Sequence, residues 1–229
     1  LLAICLVALG GVVLLIELGH PQRAWRALAR PLTSWISRGM IFVTLFIIAG
    51  LLSLAPAFES FAWLPWMSQS PVGNILLVIA GVCAFFVTLY PGFILSASPS
   101  IPLWNSPILP LLFVSHSALG ASGVVLLISP VASLGQSLES IGFLTALLIV
   151  ANFVMIAIYL LTLKGSGLAA REAVRLLNRG ALGLTLQIGV GLVGMLLPLV
   201  VVLWVPSAAV LAGVFILVGA ILFRYCVLK

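Results

Sequence analysis

Glu17 and His20 stand three residues apart in LLIELGHPQRAW, a spacing that puts a carboxylate and an imidazole on one face of a helix. Such a pair could pass protons to and from a ligand, the imidazole titrating near neutrality and the carboxyl raised by desolvation. It could equally close a helix, with Glu17 reaching water and His20–Pro21 ending the turn. Tyr90 opens the stretch YPGFILSASPSIPLWNSPILPLLF, residues 90–113, and is followed by Pro91–Gly92. Proline lacks an N–H and glycine tolerates unusual dihedrals, so a local break is expected there, aiming the phenol and free carbonyls into the protein. A phenolic O–H at that depth needs a partner, unless the residue belongs to the aromatic belt of the membrane surface. All of these groups sit near one end of their spans, so one pocket could hold Glu17, His20 and Tyr90.

Other polar groups fall deeper. His116 lies in LLFVSHSALGASG between Ser115 and Ser117, and Asn152 lies in LLIVANFVMIAIYLL. His116 is expected to bond a nearby carbonyl or serine, and Asn152 and Gln187 to bond between helices. With Glu17, the His116 and Asn152 side chains are also the groups from which a proton pathway could be built. Cys5, Cys83 and Cys226 are isolated in apolar runs with no C-x-x-C. An iron–sulfur cluster or structural zinc is therefore not expected, and the thiols are expected as small buried hydrophobes. Two histidines, one at a helix end and one in mid-span, disfavour a haem held between helices.

The elements that must position these groups follow from composition. Hydrophobic residues make up 64% of the 229, charged residues only 6%, and mean hydropathy is +1.39. Soluble domains carry about a quarter charged residues, so this is a multi-pass membrane protein. Seven spans are predicted, at roughly 1–18, 39–57, 73–95, 107–129, 141–163, 183–203 and 207–227. The runs are too long and too uniformly apolar for barrel strands, so the expected fold is all-α, a single membrane helical bundle over residues 1–229. Small residues at Gly10–Gly11, 120–123 and 189–194 are expected where helices approach closely. The opening LLAICLVALGG lacks the basic leader of a signal peptide, and the chain is expected to begin inside a longer protein.

Charge assigns the two sides. With seven alternating spans, Arg23, Arg26, Arg30, Arg38, Lys164, Arg171, Arg175, Arg179, Arg224 and Lys229 all fall on one side, and Glu59, Trp63 and Trp66 fall on the other. The positive-inside rule makes the basic side cytoplasmic. These arginines set topology and meet lipid headgroups, or they dock a soluble partner. The amphipathic piece REAVRLLNRG, residues 171–180, suits either role.

The stretch 90–113 resembles the hallmark segment of the NrfD/PsrC family, the polysulfide-reductase-type membrane subunits. Three further stretches match that family in order. IELGHPQRAWRAL with SWISRGM (16–40) resembles its Asp-Leu-Gly-Arg-Pro and Ser-Trp-x-Ser-x-Gly segments. LNRGALGLTLQIGVGLVGMLLPLVV (177–201) resembles a late Gly- and Pro-containing helix, and LVGAILFRYCV (217–227) resembles the closing Leu-Arg-Tyr.

The resemblance implies eight helices in two packed four-helix bundles, the first helix lying before residue 1. It implies a subunit with no redox cofactor of its own. Such a subunit binds menaquinone or ubiquinone in a bacterial or archaeal cytoplasmic membrane. It anchors an iron–sulfur subunit with a catalytic, typically molybdopterin, subunit. Tyr90 then matches the tyrosine facing the quinone headgroup. Glu17 replaces the usual aspartate, His20 stands where arginine is common, and Asn105 matches the asparagine of the turn. Arg23, Arg26, Arg30, Arg38, Arg171 and Arg175 would face the partner. Asn152 stands near a position where many members carry glutamate. In many such complexes the quinone end faces the periplasm, against the charge rule. A secondary transporter with a broken helix at Pro91–Gly92, or an anchor without quinone, are the competing readings.

Overall fold

The computed structural model describes residues 1–17, 20–58, 61, 63–64, 70–98, 100–131 and 137–228, excluding the side chains of 17, 21, 23, 24, 27 and 181. Every regular element among them is helical. In lipid this is dictated by the backbone, whose N–H and C=O groups find no water and must bond within their own segment. Among the described residues, six helices are long and apolar enough to cross a membrane: Trp35–Ala57, Pro71–Ser96, Leu109–Ile128, Leu138–Gly165, Leu182–Trp204 and Pro206–Leu228. They match six of the seven expected spans. The seventh, α1 (Leu2–Glu17), has 16 residues, about 24 Å at 1.5 Å per residue against ~30 Å of hydrocarbon.

By their internal contacts the residues divide into two compact units, Leu1–Ile94 and Leu95–Lys229. The first holds α1, a 3₁₀ helix (Pro21–Ala29), α2 (Trp35–Leu54) and most of α3 (Pro71–Ser96). Ile4 near the start of α1 meets Gly50 near the end of α2, so these helices are antiparallel. Ser34 caps α2, its side chain accepting from the Ser37 N–H at 3.4 Å.

One expectation fails in α3. No break occurs at Pro91–Gly92; the helix runs through Pro91 to Ser96, and the chain leaves it only over 97–108. Pro91 deprives just one acceptor, the Val87 carbonyl four residues back, of its N–H. The apolar residues beyond it still need intrahelical bonds if they lie in hydrocarbon, and that requirement outweighs one missing bond. The broken helix that favoured a transporter is therefore absent from this stretch.

The second unit comprises α4 (Leu109–Ile128), α5 (Leu138–Gly165), α6 (Leu168–Leu177), then α7 (Gly180–Leu184), a π-helical stretch (Thr185–Leu196) and α8 (Leu197–Trp204), and finally α9 (Ala209–Leu228). Its core takes Leu109, Leu112, Leu119 and Leu126 from α4, at spacings of three and seven that keep them on one face. Ile149, Tyr159 and Leu163 of α5 and Ile216 and Phe223 of α9 complete it. Glycine decides the closest contact. A Cβ added to Gly219 of α9 would lie 2.3 Å from the Gly194 Cα in the π-helical stretch, so only two glycines let these backbones meet. Gly123 of α4 is likewise closed by Ile216, whereas Gly10, Gly11 and Gly120 face open space, contrary to expectation. Cys83 and Cys226 are buried as expected, but Cys5 is exposed.

Candidate functional site

In the first unit, α2 and α3 pair through a ladder of aromatic rings. Trp35 stacks on Phe93 with centroids 4.1 Å apart and planes 4° off parallel, and Phe42 stacks on Phe86 at 4.4 Å. Each step forward on α2 is matched by a step back on α3, so the start of α2 lies beside the end of α3. Tyr90 falls between these rungs. Its ring lies so close to α2 that a Cβ on Gly39 would sit 2.3 Å from the Tyr90 Cδ2. Gly39 thus creates the flat seat in which the half-buried Tyr90 ring rests. Among the described residues no hydrogen bond reaches the Tyr90 hydroxyl. The signal for this ladder lies in the seven-residue interval between Trp35 and Phe42 and the four- and three-residue intervals of Phe86, Tyr90 and Phe93. Each ring taken alone reads as packing, so the ladder is not legible in the sequence.

Because α1 runs antiparallel to α2, the end of α1 shares this end of the unit. His20, exposed, leads directly into the 3₁₀ helix Pro21–Ala29. The structure therefore brings Tyr90 and His20 to one end of one unit. The Glu17 side chain lies outside the described residues. Ser37 is fully buried here and its hydroxyl meets no partner among the described residues. Ser37 is the second serine of the Ser-Trp-x-Ser-x-Gly segment, but its burial is not legible there, since serine in a first helical turn ordinarily reads as a local backbone bond.

Of the arginines proposed for docking, Arg26 and Arg30 are exposed. Arg38 is committed internally: its Nε and Nη2 donate to the Pro31 and Leu32 carbonyls at 2.8 and 2.6 Å, and its guanidinium lies 4.4 Å from the Trp35 ring. It fastens the loop before α2. The Arg23 side chain, Glu59, Trp66 and Lys229 lie outside the described residues, and Trp63 is exposed.

In the second unit the polar groups form a clamp. Asn152 of α5, fully buried, donates through Nδ2 to the Ser115 carbonyl of α4 at 3.0 Å and to its own helix at Leu148 O at 2.8 Å. Both amide hydrogens are thereby used, which fixes Oδ1 as an acceptor. His116 Nδ1 lies 3.0 Å from that oxygen, so the ring carries its proton on Nδ1. The Ser115 hydroxyl stands 3.3 Å from the same oxygen and also reaches Leu112 O at 3.1 Å. His116 thus bonds an amide on another helix, where a neighbouring carbonyl or serine was expected. Its Nε2 is buried without a partner among the described residues, and its ring rests 4.3 Å from Phe223. Gln187, expected to bond between helices, is exposed.

The 97–108 turn is fastened to the same unit. Trp104 Nε1 donates to the Val227 carbonyl of α9 at 2.7 Å, and the Tyr159 hydroxyl of α5 donates to Leu103 O. Asn105 is exposed on this turn. It belongs with the second unit and Tyr90 with the first. No group of three or more His, Cys, Asp or Glu side chains suited to a metal occurs among the described residues.

A family model described as "Polysulphide reductase, NrfD" matches residues 1–229. The C component of polysulfide reductase from Wolinella succinogenes is 27% identical, the match covering 97% of this chain and 75% of that protein. Protein NrfD of Escherichia coli is 31% identical over 53% of this chain and 43% of its own length. A Haemophilus influenzae NrfD homolog is 29% identical over 69% of this chain, so the matches span only about half of these last two relatives (52% of the Haemophilus protein). No solved structure matches the chain. With its apolar spans and a family match over residues 1–229, the chain belongs to the NrfD family of multi-pass membrane proteins.

Proposed function

We propose that this chain is the quinone-linked membrane subunit of a multi-subunit redox complex. It exchanges electrons between menaquinone or ubiquinone and an iron–sulfur partner, which connects in turn to a catalytic, molybdopterin-type subunit. The observation that carries this is Tyr90: a ring seated against Gly39, a hydroxyl that no described residue engages, and His20 at the same end of the unit. The name of the Wolinella relative, a component of polysulfide reductase, supports the assembly.

A quinol releases two electrons and two protons when oxidised, and the quinone takes up the same on the return. The groups assigned to this end supply what a ring bearing two oxygens needs, a hydrogen-bond donor and a route for protons. The Tyr90 O–H donates to one quinone oxygen, and stacked rings at Trp35 and Phe93 hold the surrounding helices in register. His20, exposed, and Glu17 move protons between that oxygen and water. Arg26 and Arg30 present positive charge to the partner from the same end, which the charge rule places in the cytoplasm of a bacterial or archaeal cell.

The test uses the assembled complex. Tyr90→Phe keeps the ring and removes one hydrogen bond, worth ~1–3 kcal/mol if it forms to the reacting oxygen, so quinol-linked turnover is expected to fall about 10- to 100-fold. Turnover with a water-soluble dye that bypasses the membrane subunit should be unchanged. Equal loss of both activities would show that Tyr90 acts on assembly, and undiminished quinol turnover would remove it from the site.

A further inference from the structure

Helix α6 carries a pattern that the quinone reading does not use. Its buried face is Ala170, Val174 and Leu177, which enter the core of the second unit. The opposite face mixes charge with apolar surface. Arg171 and Arg175, one turn apart, form a basic flank, with Leu168 beside it and Leu176 beyond Glu172, the two leucines 83% and 62% exposed. Lys164 at the end of α5 and Arg179 just past α6 extend the basic flank, and both are exposed. Glycines with positive φ, Gly167 at 142° and Gly180 at 64°, flank the helix at either end, conformations that L side chains rarely adopt. They turn the chain out of α5 and back into α7.

We propose that α6 is an interfacial helix and that its basic flank binds the phosphate groups of anionic phospholipids. Three observations point to this occupant. Four cations face one carboxylate, Glu172, whose contact with Arg175 at 3.5 Å is exposed on both sides and therefore weak. The uncovered leucines share the exposed side of the helix with the arginines, the arrangement of a helix lying where headgroups meet acyl chains. The Arg171 Nε donates to the Lys164 carbonyl at 3.1 Å, which holds one guanidinium at the end of membrane-spanning α5. A soluble acidic partner would account for the arginines but would leave Leu168 and Leu176 without their natural cover.

The experiment titrates the purified full chain, in detergent, with phosphatidylglycerol or phosphatidylcholine and reads bound lipid by native mass spectrometry. Wild type should retain phosphatidylglycerol preferentially. Each basic residue near an anionic surface contributes about fivefold in affinity, so Arg171→Gln/Arg175→Gln should lower the preference about 25-fold. Arg171→Lys/Arg175→Lys, which keeps the charge, should retain most of it, separating charge from folding. Raising salt should erase the preference in wild type and leave the double Gln variant unmoved. A double Gln variant that keeps its phosphatidylglycerol overturns the proposal. So does one that keeps the lipid yet loses a soluble subunit from the purified complex, which would make α6 a protein-docking surface.

Discussion

Each unit leaves one buried polar atom open among the described residues, the Ser37 hydroxyl in the first and His116 Nε2 in the second, but they differ in what surrounds it. In the second, Asn152 uses both amide hydrogens and its oxygen, and ties α4 to α5 through Ser115 and His116. In the first, the Tyr90 hydroxyl and the Ser37 hydroxyl are both left open among the described residues, although Tyr90 is tightly seated and Ser37 is fully buried. Satisfied polar groups inside a membrane make a helix pair rigid and specific. Open ones carry a desolvation cost that a bound group can relieve. The contrast sets an interhelical amide clamp in the second unit against a seated ring with an open hydroxyl in the first.

The largest break in that contrast should come from Asn152→Leu. It strands the His116 Nδ1–H and removes the interhelical donor to the Ser115 carbonyl, and a loss of about 2–3 kcal/mol is expected, read as detergent-resistant unfolding of the purified chain. Quinol-linked activity per folded molecule should hold, because the clamp belongs to the second unit and Tyr90 to the first. Gly39→Ala comes next. Its new methyl collides with the Tyr90 ring, so about 1–3 kcal/mol should be lost together with quinol turnover. If Gly39→Ala lowers stability but spares turnover, the seat of Tyr90 is structural. Tyr159→Phe should have the smallest effect, about 1 kcal/mol, by freeing the Leu103 carbonyl. It should raise protease cleavage within 97–108 while leaving α2–α3 pairing intact, as read by a Trp35-sensitive fluorescence signal.

Much of the fold is legible in the residues themselves. Six of seven spans follow from run length and hydropathy, because a membrane leaves the backbone few alternatives. The grouping of Tyr90 and His20 at one end follows from alternating spans. The clamp is not legible: His116 and Asn152 are 36 residues apart on different helices, and only helix register decides which polar groups meet. Pro91 misleads for a local reason, since proline reads as a stop in water, where the freed residues can hydrate. The π-helical stretch between Thr185 and Leu196 also leaves no periodic trace, since its residues are almost all apolar or glycine and no face stands out. Arg38 looks like a docking charge because charge is visible in a sequence and the carbonyls it serves are not.

The bond from Trp104 to Val227 spans 123 residues, and that separation bears on biosynthesis. The helices of the first unit can pair as soon as α3 has entered the membrane. The second unit must wait, because α9 supplies Ile216 and Phe223 to its core and Gly219 to its tightest backbone contact. Until α9 leaves the ribosome, α4 faces lipid with a seam meant for protein, and the 97–108 turn has no anchor for its tryptophan. A nascent polypeptide stalled before Ala209 would present the first unit already paired and a second unit still unlatched. Tyr159 of α5 can hold Leu103 before that point, whereas the Trp104 bond forms only after Val227 has been made.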